Sequence, residues 1–291
     1  MSFVHTKKMT AGDYVNYSLL GIIALFSLFP FFYVLSISFT DPSSYVPFKF
    51  YIFPDKWSLY SYRYILSTNS FINSFNSTVF VTVVGTVLNV LFTFTMAYGL
   101  TKKKIPGRNL FLGVVIVTLF FNAGVIPNYL VVKNVGLLNS YWSLIWPSLT
   151  NAWSLVVVKS FMDSIHPELE EAAKIDGCSD LAVFWRIVVP LSLPAIAAFT
   201  LFFAVGHWNT YFSALIYISD TKKWTLQLLI KQLVIEGDAS GVAQTLDNDA
   251  APPVETIRMA SIVLAMLPIL IVYPFLQKYF AKGVMLGSIK G

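Results

Sequence analysis

The sequence predicts an all-α membrane protein with six transmembrane helices and a cytoplasmic helix–Gly–helix elbow. Three observations carry the expectation. Hydrophobic residues make up 56% of the 291-residue chain and charged residues only 12%, about half the share found in soluble domains. Six apolar runs have roughly the length needed to cross about 30 Å of hydrocarbon at 1.5 Å per residue. None of the six contains Asp, Glu, Lys or Arg.

The runs are Tyr17–Phe39, Asn76–Leu100, Asn109–Ile126, Tyr141–Val158, Leu191–Ile218 and Met259–Gln277. The first follows a polar segment, residues 1–16, and is too long for a signal-peptide core of about 7–15 residues. It is expected to be a permanent span. The third and fourth are short and the fifth is long. Residues 17–285 read as one domain, followed by a short tail, 286–291. The loops 40–75 and 219–256 are the long connections on one side.

Orientation follows from Lys and Arg near the span ends. With six spans both termini share a side, and that side carries 12 of the 20 basic residues. The loop "TKKKIPGR", Thr101–Arg108, is short and strongly basic, so it is expected in the cytoplasm. Both termini and residues 163–190 are then cytoplasmic in a cell membrane, and the two long loops face outward. The aromatic cluster Tyr45–Tyr64 reads either as interfacial anchoring or as a docking surface for an outside partner.

Several functions are excluded or disfavoured. The net charge of +5 fits the basic cytoplasmic loops of a membrane protein and gives no reason to expect nucleic acid. Cys178 is the single cysteine, so no intrachain disulfide forms and no metal site is expected. There is no phosphate-binding loop, H-E-x-x-H or G-x-S-x-G, so no catalytic residue and no bound cofactor is expected. Any nucleotide that drives this chain binds elsewhere. Uncharged spans argue against ion coupling.

The polar residues within the runs are neutral: Asn89, Asn122, Asn151, His207 and Asn209, with many Ser, Thr and Tyr. Beside aromatic rings they suit an uncharged, hydroxyl-rich ligand, and they equally suit hydrogen bonding between helices. Asn151, Trp153, His207, Trp208, Asn209 and Tyr211 are the candidates for a substrate path. Trp208 and Tyr211 also suit an aromatic belt. No acidic partner for a proton relay accompanies His207, so it is expected to be neutral.

The stretch "HPELEEAAKIDGCSDLAVFWRIVVPLSLPAI", His166–Ile196, is the most polar between two apolar runs. Pro167 suits a first helical position with His166 as its cap. Glu168, Glu170 and Glu171 lie where the helix dipole favours negative charge. Glu170 and Lys174 have i,i+4 spacing, and Leu169, Ala172, Ala173 and Asp176 share a face. Gly177 can end the helix at positive φ. Ser179 can cap a second helix over Asp180–Ile187, with Leu181, Phe184 and Val188 on one side, ended by Pro190. A nine-residue helix is marginal alone, so the elbow must dock on its own bundle or on a partner.

"EAAKIDGCSDLAVFWRIVVPLSLP" resembles the EAA signature of permease subunits of binding-protein-dependent ABC importers. Glu171, Ala172, Ala173, Asp176, Gly177, Ile187 and Pro190 match it, and Val189 stands where the signature has Leu. "GHWNTYFSALIYISD", "IPNYLVVKNVGLLNSYWSLI" and the tail "LQKYFAKGVMLGSIKG" resemble the carbohydrate-uptake branch, in its smaller, maltose-permease-like six-span partner of oligosaccharide or polysaccharide type. The resemblance implies the type I ABC importer permease fold. It implies a heterodimer with a second permease and two ATPase subunits that hold ATP and Mg. An extracytoplasmic solute-binding protein delivers the saccharide, and lipid surrounds the spans. ATPase coupling then falls on Glu170, Glu171, Ala172, Ala173, Asp176, Gly177, Phe184, Ile187 and Pro190. A permease for another solute, or a channel or secondary carrier whose elbow is only a turn, are the alternatives.

Overall fold

The structure is a computed structural model that describes residues 10–235 and 254–287. The outermost residues of both termini and the middle of the loop 219–256 lie outside the described residues. The chain divides into two compact units, Met1–Thr68 with Glu236–Leu264, and Asn69–Ile235 with Ala265–Gly291. Among the described residues the elements are helical, with one isolated antiparallel bridge between Thr40 and Trp57.

The first unit opens with α1 (Ala11–Ser38), whose first turn is closed by the Asp13 carboxylate accepting from the Thr10 N–H at 2.7 Å. The following loop is an ordered cap. Its backbone folds back through Asp41 N–H to the Lys56 carbonyl (2.9 Å) and Ser58 N–H to the Phe39 carbonyl (2.8 Å). Tyr51 is fully buried and accepts from the Val46 N–H, and Lys49 pairs with Asp55. Phe48, Phe53 and Trp57 are exposed. The aromatic cluster therefore divides between a packed centre and an exposed rim. α2 (Tyr60–Ser67) ends this unit's first segment.

The second unit is built around α3 (Asn69–Thr101). Then come α4 (Arg108–Phe120), α5 (Val125–Asn134), α6 (Trp142–Ile145) and α7 (Ala152–Asp163). The elbow is α8 (Pro167–Ile175) and α9 (Asp180–Val183), continued by a π-turn over Phe184–Val188 and by α10 (Val189–Leu191). After it come α11 (Leu193–Trp208), α12 (Phe212–Tyr217), α13 (Leu226–Ile235) and α14 (Val254–Gly287). From Ala265 onward α14 belongs to the second unit.

Two apolar cores lie along α3. One joins Phe94, Ala97 and Tyr98 to Leu155 and Val158 of α7, Val183 and Phe184 of the elbow, and Phe199 of α11. The other joins Val81 to Leu144, Ile145, Ala214 and Leu228. The α3 segment between them carries the polar residues Asn89 and Thr93, both buried.

By length and composition three described helices can cross a membrane: Gly12–Ser38, Asn69–Thr101 and Glu255–Pro274. The pair Asp180–Leu191 and Leu193–Trp208, bent by 80°, makes a fourth if it is one span. The remaining expected runs are interrupted. The third stops at Phe120, so α4 is only 13 residues, about 20 Å long. Phe121 is extended, and Gly124 has φ 84°. The fourth breaks at residues 149–151 between a 3-10 turn (Trp146–Ser148) and α7. The fifth breaks after Trp208. Composition reports that a stretch is apolar, but not that its backbone leaves the helix within it.

Candidate functional site: a polar cavity and a split-faced elbow

The first site forms where two of the interrupted runs meet α3. Asn89 donates its amide N–H to the Ser148 carbonyl at 2.8 Å, and Thr93 Oγ1 contacts Thr150 Oγ1 at 3.1 Å. These bonds serve the break between α6 and α7, where a backbone carbonyl would otherwise lie unpaired in apolar surroundings. Asn151 caps α7 by accepting from the Ser154 N–H at 2.8 Å.

His207, buried on α11, has Nε2 3.3 Å from Asn89 Oδ1. The Asn89 amide nitrogen already donates to Ser148, so Oδ1 is the acceptor and His207 Nε2 carries the proton. Gly85, one turn before Asn89, makes room for the ring. A Cβ at that position would lie 2.5 Å from His207 Nε2. Gly85 was not among the expected site residues; the visible signal was a lone Gly inside a strongly helical run.

Around this ladder lies a cavity of about 360 Å³. Asn89, Asn151, Ser154, His207, Thr210 and Ser213 give it polar groups, and Trp153, Phe202 and Phe203 give it rings. None of its lining side chains is charged. Of the six path candidates, Asn151, Trp153 and His207 are brought together here. The other three lie elsewhere. Trp208 is buried, donates Nε1–H to the Ala265 carbonyl at 3.1 Å and meets Phe75 edge-on at 6.1 Å. Asn209 closes the end of α11 by donating to the Val205 carbonyl at 2.9 Å. The Tyr211 ring lies 5.8 Å from Lys231 Nζ.

The second site is the elbow, and its local structure is as the sequence predicts. Pro167 opens α8. Gly177, at φ 84°, ends it, with the Cys178 N–H on the Ala173 carbonyl (2.9 Å) and the Gly177 N–H on the Lys174 carbonyl (3.1 Å). Ser179 caps α9 by accepting from the Ala182 N–H at 3.3 Å.

Four details differ: Leu181 is exposed and so parts from Phe184 and Val188, which are buried in the core, and three more concern Pro190, Glu170 and Ala173. Pro190 does not end the second helix. The Val189 N–H reaches back to the Phe184 carbonyl, and this wider turn accommodates a residue without an N–H until the bend at Ser192. Glu170 pairs with Lys102 rather than Lys174, and Lys174 pairs with Asp180 at 2.6 Å. The Asp180 carboxylate raises the pKa of the Lys174 ammonium, and Lys174 holds the Asp180 carboxyl below the usual carboxylate range. Finally, Ala173 is not on the face of Leu169, Ala172 and Asp176. It is buried with Val183, Phe184 and Val188 against α3, while the other three are exposed. Ile187 is half-buried and Pro190 exposed.

The elbow therefore has two faces. The inner one docks on its own bundle. The outer one exposes Leu169, Ala172, Ile175, Leu181 and Trp185, with Ile175 87% exposed, beside Glu168, Glu171 and Asp176. Large apolar residues exposed on one face mark an interaction site.

A family profile described as the binding-protein-dependent transport system inner membrane component matches residues 8–286. The chain belongs to this family. The permease is 47% identical over 295 residues to Protein LplC of Bacillus subtilis (strain 168), with 100% of each chain covered. It is 46% identical over 280 residues to the polygalacturonan/rhamnogalacturonan transport system permease protein YtcP of the same organism, covering 96% of this chain and 98% of that one. A chain in the crystal structure of a bacterial ABC transporter involved in the import of the acidic polysaccharide alginate superposes with TM-score 0.86 at 32% identity, covering 94% of this permease and 100% of that chain. The type I permease fold expected from the EAA stretch is thereby established, as is its role as the membrane component of an ABC transporter.

Proposed function

We propose that this permease imports an oligosaccharide or polysaccharide, with ATP hydrolysis supplied by two separate ATPase subunits that hold ATP and Mg. A second permease completes the path, and an extracytoplasmic solute-binding protein delivers the saccharide. The saccharide assignment rests on the relatives named for polygalacturonan and alginate transport. In this reading the three interrupted runs still cross the membrane as broken helices, giving six spans with both termini in the cytoplasm. Broken helices are tolerated at membrane depth where the freed backbone is buried in protein or lines a cavity, as it is at Ser148.

The single observation that carries the coupling role is the outer face of the elbow. A channel or an ion-driven carrier has no need of an exposed apolar ledge with an acidic rim on a segment whose other face is locked to the bundle. In an ATP-driven importer that ledge is where the ATPase seats. Ile175 makes the test clean, because its side chain is outside the permease's own core. Ile175→Asp should leave the chain folded in the membrane yet lower ATPase co-purification and saccharide uptake together by tenfold or more, roughly 1.4 kcal/mol or above. Normal ATPase retention and uptake in Ile175→Asp and Leu169→Asp alike would remove the ledge from the coupling path.

A further inference from the structure

We infer that the segment 46–53, "VPFKFYIF", is a lipid anchor. It turns back beside α1 and seats its apolar tip where the lipid headgroups meet the acyl chains. In the orientation proposed above this is the outer leaflet.

The course of the chain is the first argument. The neck of the loop lies at the end of α1. There the Asp41 N–H bonds the Lys56 carbonyl at 2.9 Å, Thr40 bridges Trp57, and the Trp57 ring lies 5.8 Å from Phe39. From that neck the chain descends along the helix. The Phe50 ring stacks on Phe29 at 5.7 Å and on Tyr33 at 5.6 Å. These residues precede the last residue of α1, Ser38, by nine and five positions, about 14 and 8 Å along a helix axis. The apolar stretch Gly12–Ser38 has 27 residues, about 40 Å, the thickness of a bilayer with its headgroups. Phe50 therefore lies level with the start of the acyl chains, below the reach of a soluble partner. Almost none of that α1 stretch is buried within this chain, so the apolar surface runs on from the span to the tip.

The tip itself is the second. Phe48 is fully exposed and Phe53 74% exposed, with Val46, Phe50 and Ile52 exposed beside them. Phe48 also holds φ 65°, a left-handed conformation that a bulky side chain rarely adopts. The scaffold behind it is packed. Buried Tyr51 accepts from the Val46 N–H at 2.8 Å and stacks on Tyr45 at 5.7 Å. A firm scaffold that holds a strained ring outward points to a use for the ring outside the chain.

Charge is the third. Lys49 is the single charged residue of 46–53, and it pairs with Asp55. Its Nζ lies 5.1 Å from the centroid of the Tyr51 ring. A neutralised pair on a long stem can stay among the headgroups while the rings around it go deeper. Irregular backbone is not tolerated in bare hydrocarbon. The tip therefore stops at the boundary, where surface-lying apolar segments sink about 5–10 Å.

The test uses the whole transporter in bilayer discs of phosphatidylcholine and phosphatidylglycerol. In a Cys178→Ser background, Phe48→Cys, Phe53→Cys and, as a control at the neck, Lys56→Cys are each labelled with an environment-sensitive fluorophore. A nitroxide near the top of the lipid acyl chain should quench the labels at 48 and 53 about threefold more than the label at 56. Iodide in the water should quench them in the reverse order. The discs expose both leaflets, so the outcome does not depend on the orientation or on the solute carried. Equal nitroxide quenching at all three positions overturns the anchor. Tip labels shielded from both quenchers overturn it in favour of cover by another subunit. Tip labels that lose iodide quenching only when the solute-binding protein is added overturn it in favour of a docking surface for that protein.

Discussion

Lys102, one residue beyond the end of α3, forms an ion pair with Glu170 on the elbow helix α8. Both side chains are about four-fifths covered, at 21% and 23% exposure. Lys102 Nζ also lies 4.0 Å from the centroid of the Tyr98 ring, and Tyr98 packs on Phe184 at 4.9 Å. The same helix carries Asn89 in the cavity wall. The elbow is therefore tied to the end of α3, and the same helix reaches the cavity.

Reversing either charge of that pair should lower saccharide imported per ATP hydrolysed without loss of the ATPases. Lys102→Glu and Glu170→Lys are each expected to cost about threefold to tenfold in that ratio, and the double exchange should restore most of it. The coupling energy corresponds to roughly 1 kcal/mol in a double-mutant cycle. Strictly additive losses would mean that the two residues act separately.

Gly85→Ala places a methyl group against the His207 ring, where the Cβ would stand 2.5 Å from Nε2. The ring must leave Asn89 to relieve the overlap. Overpacking of this kind costs about 1–3 kcal/mol, more than alanine gains over glycine in a helix. Thermal unfolding of the purified complex should show the loss, together with reduced uptake. Wild-type stability in this variant would contradict the tight seating of His207.

Trp208→Phe keeps a ring beside Phe75 and removes the Nε1–H donated to the Ala265 carbonyl. Pro268 has no N–H for the Leu264 carbonyl, so the Trp208 bond falls one residue beyond a gap in the helix's own bonds. Losing it should lower stability by about 1 kcal/mol, with no change in the sugar preference, since Trp208 is outside the cavity lining. A switch in preference would bring Trp208 back into the path.

The Lys174–Asp180 pair sets a pH expectation. Asp180 has a lowered carboxyl pKa, so its contribution is present above the ordinary carboxylate value and lost as pH falls through the lowered one. Lys174 has a raised pKa, so its contribution is present below the ordinary ammonium value and lost as pH rises through the raised one. Between about pH 5 and 9 both stay charged. The stability difference between wild type and Asp180→Asn should therefore be flat across that window and shrink below about pH 4. A slope near neutrality would point to another titrating partner.

The elbow was legible from residues because its signals are local. Pro167, Gly177 and Ser179 determine helix ends through backbone geometry within a few positions, and the structure has all three in those roles. The EAA spacing then carried the family. The cavity was half legible: Asn151, Trp153 and His207 were visible as neutral groups among rings, but their meeting with Gly85 and Asn89 depends on how α3 and α11 pack. Trp208 and Asn209 have the same composition signal and serve helix ends and carbonyls instead.

The sequence by itself determined the class of the chain, its elbow and its family, because apolar length, capping residues and motif spacing are written along one dimension. Tertiary structure alone decided that the middle runs are broken, that Glu170 answers to Lys102, and that Ala173 turns inward while Ala172 stays exposed. Those outcomes depend on which surfaces meet across the bundle. An i,i+4 neighbour is always near Glu170, but Lys102, held over the Tyr98 ring just beyond α3 in a partly dry site, pairs with it instead.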